Sequence, residues 1–416
     1  MKVLWVINKP FPKVSKALGL SVELSQSWLL DLERAVREAG ITLCSACVEH
    51  VDGLKCASLD GGNHYVLPMI SKFQSSNRYA PFWDEIIEKE QPDIIHIHGT
   101  EYRHPLPLLK KYKHIPNLLT IQGVMSRISE NFYGGLPLKD ILRFRTLREN
   151  YTLGGMFFTK RLYKKQAKIE AEIVRNVDCV TGRTLWDYSV LKEINPEIQY
   201  FRCFYNLREE FYEAEKWSLE SARRHSLYTA FSSYPLKGLH ILLKAIAIVK
   251  EEFPDVSLNV PGVKGDADGH IVVTSGYTKY IKKLMDDLGV TEHVRFLGGQ
   301  KTEDVIENLQ KAHVCVVSSA IEGASATIRE AMHIGTPCIC SYRGGMTELL
   351  RDRESGFYYD YPEFSYLAER IMEVFRNDAL AEQFSLQGIE TACVWHDREK
   401  NARDMVEIYH QLVTKE

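Results

Sequence analysis

The sequence predicts an α/β protein built from two doubly wound parallel-sheet domains. Short apolar runs alternate with longer amphipathic segments from end to end. The strand-like runs are apolar on both faces, as parallel strands covered by helices are. At 416 residues the chain exceeds what one core serves, so two domains of about 200 residues each are expected.

The first domain is expected over residues 1–205. Its strands are "VLWVIN" (3–8), "ITLCSACV" (41–48), "DIIHIH" (93–98), "NLLTIQG" (117–123) and "VDCVTG" (177–182). A helix is expected within 21–40, closed by Gly40. A polar, charged stretch, "YNLREEFYEAEKWSLESARRHS" (205–226), marks the seam. The second domain, 206–395, repeats the rhythm. Strand "LYTAFSS" leads to helix "GLHILLKAIAIVKEEF", then strand "VSLNVPG" to helix "TKYIKKLMDDLG". Strand "VRFLG" and helix "TEDVIENLQKA" follow, then strand "VCVVSS", a helix within 325–334 and strand "PCICS". A last helical segment carries an apolar stripe at Met405, Ile408, Tyr409 and Leu412.

Composition narrows the function. The net charge of −3 gives no general attraction to nucleic acid, and no nucleic-acid module is present. The opening "MKVLWVINKPFPKV" is too short in its apolar run for a secretory signal, and no apolar stretch approaches the ~20 residues of a membrane span. A cytoplasmic protein is expected, or one peripheral to the inner face of a membrane. The nine cysteines are scattered through apolar runs, as buried reduced thiols are. Cys44 and Cys47 form the one C-x-x-C, but in a strand they point to opposite faces. Residues 139–175 hold ten Lys/Arg against four Asp/Glu, interleaved with aromatics. That pattern reads either as a solvated helix face or as a basic-aromatic surface for an anionic membrane or acceptor.

The chemistry concentrates in "IEGASATIREAM" (321–332). Glu322 and Glu330 are not an acid/base pair: eight helical residues span about 12 Å, and glycosidase carboxylates stand roughly 5–9.5 Å apart across one bond. Ala320–Gly323 instead leaves the carboxyl end of a buried strand, and Ala324, Ser325 and Ala326 open a helix that Gly335 closes. Open α/β sheets bind ligands there, and a helix N-terminus suits a phosphate. Lys237 sits in the loop after strand 227–231, and Gly344, Gly345 and Glu348 in the loop after strand 337–340. Three strand-end loops of one sheet therefore carry Lys, Glu-Gly-small and Gly-Gly. Asp266 and Asp268 imitate a metal-binding D-x-D, but in a glycine-rich surface loop. His96, His98 and His104 cluster at a strand end, where a substrate-cleft role fits better than a metal trio. No metal and no cofactor is expected.

Lys237-Gly238, Ser319-Ala-Ile-Glu322-Gly323, Glu330 and Gly344-Gly345-Met-Thr-Glu348 resemble the nucleotide-sugar domain of the retaining GT-B glycosyltransferases, family 4. The resemblance covers about residues 227–360 and extends more loosely to the N-terminal half. It implies a GT-B fold, two Rossmann-like domains facing an interdomain cleft, with a last helix (396–416) packing back on the first. It implies transfer of a sugar, with retention and without a metal ion, from a nucleoside-diphosphate donor to a hydroxyl of a glycan, lipid-linked or small-molecule acceptor. Lys237 and Glu322 would be catalytic. Glu322 would meet donor sugar hydroxyls and Glu330 the ribose, while Lys237 and the amides of Gly323, Ala324 and Ser325 hold the diphosphate. Gly19, Gly238, Gly262, Ser319, Gly344 and Gly345 would complete the donor site, and His98, Gln122 and Arg127 are the acceptor-side candidates. Three features depart from the family: Ser232 stands where an arginine is usual, Gln122 where a histidine is, and the N-terminal glycine pair is reduced to Gly19 in "ALGLS". A non-catalytic nucleotide-sugar-binding subunit, or a GT-B epimerase or phosphorylase, is the alternative.

Overall fold

The computed structural model describes residues 1–22, 28–71, 74–152, 154–230 and 232–414. The chain forms two compact units. The first comprises Met1–Met125, Lys165–Arg208 and Trp395–Glu416, the second Ser126–Lys164 and Glu209–Val394.

In the first unit an eight-stranded sheet contains β1 (Lys2–Val6), β2 (Thr42–Glu49), β3 (Lys55–Leu59), β4 (Gly62–Pro68), β5 (Ile94–His98), β6 (Asn117–Thr120), β7 (Cys179–Gly182) and β8 (Gln199–Arg202). Their order is β3-β4-β2-β1-β5-β6-β7-β8, and only the β3–β4 pair is antiparallel. Alternation along each strand divides the core between the two faces. Leu4, Val6, Cys44 and Ala46 belong to one apolar cluster, and Val3, Trp5, Ile7, Leu43 and Cys47 to the other. Cys44 and Cys47 therefore face opposite layers, and burial raises both thiols above their usual pKa, Cys44 to about 11. The hairpin β3–β4 was not expected from the sequence because β3 is largely exposed and has no apolar pattern. Its turn signal is nevertheless present: Asp60 and Gly61 take φ of 50° and 74°, the D-G pairing of a tight hairpin. The helix expected within 21–40 runs Trp28–Glu38, and residues 23–27 lie outside the described residues.

The last helix, Arg398–Val413, belongs to the first unit. Met405, Ile408, Tyr409 and Leu412 are all buried, and the Tyr409 hydroxyl accepts from Trp5 Nε1 at 2.9 Å and bonds His96 Nδ1 at 2.6 Å. This helix is thereby tied to the first strand.

In the second unit a six-stranded, wholly parallel sheet contains β9 (Arg223–Thr229), β10 (Ser257–Pro261), β11 (Val294–Gly298), β12 (Ala312–Val317), β13 (Cys338–Ser341) and β14 (Phe357–Tyr359). Its order is β11-β10-β9-β12-β13-β14, so the direction of winding reverses between β9 and β12. Val314–Val317 are fully buried, which explains their unbroken apolar run.

The division corrects one expectation. Ser126–Lys164 belongs to the second unit, although the sequence placed all of 1–205 in the first. Specific contacts hold it there. Phe132 stacks on Tyr234 at 6.0 Å, and the Gly134 carbonyl accepts from Tyr361 Oη at 2.6 Å and bonds His240 Nε2 at 2.8 Å. Glu149 Oε1 accepts from the backbone N–H of Gly276 at 2.7 Å, opening the helix Gly276–Leu288, where a carboxylate is favoured by the helix dipole.

Candidate active site

The reversal point of the second sheet gathers the loops that the sequence singled out. The loop after β9 ends in the turn Pro235–Lys237, and Gly238 adopts φ +71° before the helix Leu239–Glu252. A glycine is required, because a Cβ there would stand 1.7 Å from the carbonyl oxygen of Ser318 in the loop after β12. The two loops are stitched at this approach. Ser318 Oγ donates to the Lys237 carbonyl at 3.2 Å, and the Ala320 amide to the Leu236 carbonyl at 2.7 Å.

Lys237 and Glu322 meet at this seam, with Nζ 2.7 Å from Oε1. Ser319 Oγ donates to the same carboxylate oxygen at 2.6 Å. The pair is mostly buried, 19% and 14% exposed at the side chains. Burial alone would lower the lysine pKa. The charge of Glu322, supported by Tyr234 and by the hydrogen bond, outweighs it and leaves the pKa raised, so the ammonium persists through the neutral range. The third loop closes on the same residue. The Gly345 amide donates to the Glu322 carbonyl at 2.9 Å, and Gly344 takes φ +63° where a Cβ would lie 2.4 Å from that oxygen.

Gly323 and Ala324 lead into helix Ala326–Ile334, whose N-cap, Ser325, makes no side-chain capping bond. Glu330 begins the second turn and is half-buried. Gly262, leaving β10 with φ +76°, donates its amide to the Gly298 carbonyl at 2.6 Å. Ser232 is fully buried, and its Oγ donates to the Ala230 carbonyl at 2.5 Å.

The acceptor-side candidates are divided between the two units. His98 and Gln122 lie in the first unit, as does Gly19 of the expected donor site, and Arg127, ion-paired with Glu130 at 3.3 Å, lies in the second. His98 is 1% exposed and packs on Trp5 with ring centroids 4.6 Å apart; burial lowers its pKa to about 3. It is a core residue, which corrects the reading of a substrate-cleft histidine. His96 bonds Thr120 and Tyr409 through its two ring nitrogens, so it has none left for a metal. Gln122 is half-buried, and its Nε2 donates to the His98 carbonyl at 3.3 Å.

Two residues passed over in the sequence join Gln122 at the reversal point of the first sheet. Asn8, just beyond β1, donates Nδ2 to Glu101 Oε2 at 3.1 Å. A Cβ at Gly99 would meet Glu101 Oε2 at 2.2 Å and the amide nitrogens of Asn8 and Gln122 each at 3.2 Å, so the three side chains converge. Burial raises the Glu101 pKa. The signal was a carboxylate three residues beyond a buried strand, in "HIHGTE".

Asp266, Asp268 and His270 form the one group among the described residues with metal-ligand proximity, and all three are exposed. Asp266 Oδ1 accepts from the backbone amides of Asp268 at 3.0 Å and His270 at 2.9 Å, the task of a loop-closing aspartate.

Residues 227–391 match the family model of the glycosyl transferases group 1. Over 183 residues the chain is 28% identical to the D-inositol 3-phosphate glycosyltransferase of Corynebacterium urealyticum, covering 43% of this chain and 41% of that protein. The match thus spans about two fifths of that relative's length. Among solved structures, sucrose-phosphate synthase from Thermosynechococcus elongatus superposes with a TM-score of 0.73 at 16% identity, covering 100% of both chains. Anabaena Alr3699/HepE in complex with UDP gives 0.67 at 15% identity, over 99% of this chain and 100% of that one. The fold is GT-B: two parallel-sheet α/β domains, the second containing the residues that match the glycosyl transferases group 1 model.

Proposed function

We propose that the protein is a retaining, family 4-type glycosyltransferase that moves a sugar from a nucleoside diphosphate to an acceptor hydroxyl without a divalent metal ion. One observation carries the reading. A mostly buried cation, a carboxylate and a helix N-terminus without a side-chain cap converge where the second sheet reverses. Lys237 and the amides of Gly323, Ala324 and Ser325 would take the diphosphate, Glu322 the donor sugar hydroxyls and Glu330 the ribose. As the glycosidic bond breaks, charge grows on the departing phosphate, and a preorganised ammonium and helix dipole stabilise it. The complex of HepE with UDP supports a nucleoside diphosphate as ligand of this fold. On the first unit, Gln122, with Asn8 and Glu101 converging beside it, would offer hydrogen-bonding groups to a hydroxyl ligand.

Glu330→Ala is expected to weaken binding of UDP or a competing nucleoside diphosphate by about 1–3 kcal/mol, with the melting temperature unchanged. Unchanged calorimetric affinity across a nucleotide panel would remove the ribose role. Turnover is expected to survive EDTA, because Lys237 and the helix dipole supply the positive charge and the Asp266 carboxylate is engaged within its own loop. Loss of activity restored by manganese or magnesium would reinstate Asp266 and Asp268 as ligands.

A second reading, a non-catalytic nucleotide-sugar-binding subunit, draws on Ser232 and Gln122 at positions where the family usually has arginine and histidine. Slow donor hydrolysis in the absence of acceptor separates the two: a catalyst shows it and a binding subunit does not.

A further inference from the structure

The segment 138–162 holds apolar side chains away from its own core. Leu138 and Leu142, four apart on helix Leu138–Arg143, are 52% and 46% exposed, while Ile141 between them is fully buried. Leu147 and Tyr151, four apart on helix Leu147–Thr152, are 88% and 92% exposed, the highest values of any large hydrophobic side chain among the described residues. Leu162 is a fifth, at 49%. Scattered exposed leucines need no explanation, but a concentration of them in 25 residues does. The leucines are not waiting for a place inside. Ile141 and Phe144 already fill the inward side, and Glu149 anchors the segment to the amide of Gly276.

Charge says what the surface fits. Lys139, Arg143, Arg148, Arg161 and Lys164 are exposed among these apolar residues and form no ion pair among the described residues. Of the two acidic residues in 138–164, Glu149 is turned inward and Asp140 is half-buried, so the exposed cations outnumber what offsets them. Cations interleaved with leucine and tyrosine match a bilayer that offers anionic headgroups above an acyl layer. A soluble polyanion would use the cations alone.

We propose that this surface, centred on Leu138, Leu142, Leu147 and Tyr151, docks the protein on an anionic lipid bilayer. The full chain is tested by flotation with phosphatidylcholine vesicles, with and without phosphatidylglycerol. Binding is expected to be at least roughly tenfold stronger with the anionic lipid and to fall steeply with salt, since exposed charges are screened over about 8–10 Å. Leu147→Glu/Tyr151→Glu is expected to abolish it, and Arg143→Ser/Arg148→Ser to reduce the preference for anionic vesicles. Both variants should keep the wild-type melting temperature and nucleotide affinity, since neither pair touches the donor site. Equal retention on neutral and anionic vesicles overturns the proposal. So does heparin binding with vesicle binding unaffected by the Leu147/Tyr151 change, which indicates a polyanion surface. Dimerisation abolished by Leu147→Glu, without vesicle binding, assigns the patch to a second copy of the chain instead.

Discussion

Lys237→Ala is expected to lower kcat/KM by at least about a hundredfold, roughly 2.7 kcal/mol of lost transition-state stabilisation. Two effects add. The variant removes the ammonium that would meet the departing diphosphate, and it leaves the Glu322 carboxylate, 14% exposed, without its partner at 2.7 Å. A charge left unpaired in a mostly buried site costs more than the pair contributed, and here it would also repel the incoming phosphates. Lys237→Ala/Glu322→Gln is therefore expected to bind a nucleoside diphosphate more tightly than Lys237→Ala alone. Ser232→Arg is not expected to restore the missing cation, because Ser232 is fully buried and an arginine there would have to open the loop. Steady-state rates decide the matter. A Lys237→Ala enzyme within about threefold of wild type would make Lys237 an ordinary structural partner of Glu322.

Gly238→Ala is expected to cost about 2–4 kcal/mol of stability and to impair donor binding along with it. The left-handed φ of +71° alone penalises alanine by roughly 1–2 kcal/mol. The remainder is steric. A Cβ 1.7 Å from the Ser318 oxygen forces the loops after β9 and β12 apart, and with them Lys237 and Glu322. Gly40→Ala is the control: Gly40 has φ +79° and nothing within 4 Å of a Cβ, so it bears the conformational cost alone. Denaturant unfolding of both variants separates the terms. Equal losses would mean that the two loops do not approach as closely as the structure has them.

Most of the second unit was legible because its information is local. The apolar runs of β12 (residues 314–317) and β13 are continuous because these strands are buried on both faces. Those of β10 and β11 are each interrupted by one polar residue, Asn259 and Arg295, and each intervening helix keeps its own period. The glycines speak for themselves as well: Gly238 and Gly344 occupy backbone conformations that other residues enter at a cost, so their places in the loops mark close approach before any partner is known. The three-loop constellation could be read from such signals, since each loop leaves a strand of one sheet.

What the chain could not announce is which distant groups meet. Nothing local says that Lys237 bonds a carboxylate 85 residues away, that Tyr409 reaches Trp5 and His96, or that His98 is sealed beneath them. Strand order settles these, because it decides which loops leave the sheet side by side and which face each side chain shares. The same holds for 126–164. Its sequence position puts it among the first-domain elements, but the pairings of Phe132 with Tyr234, Gly134 with His240 and Tyr361, and Glu149 with Gly276 assign it to the second. Periodicity and backbone preference, which act over a few residues, determined the elements and the glycine-rich loops. Burial and pairing across long separations, which exist only once the sheets are assembled, decided that His98 is core, that Lys237 and Glu322 act as a pair, and that Leu147 and Tyr151 face outward.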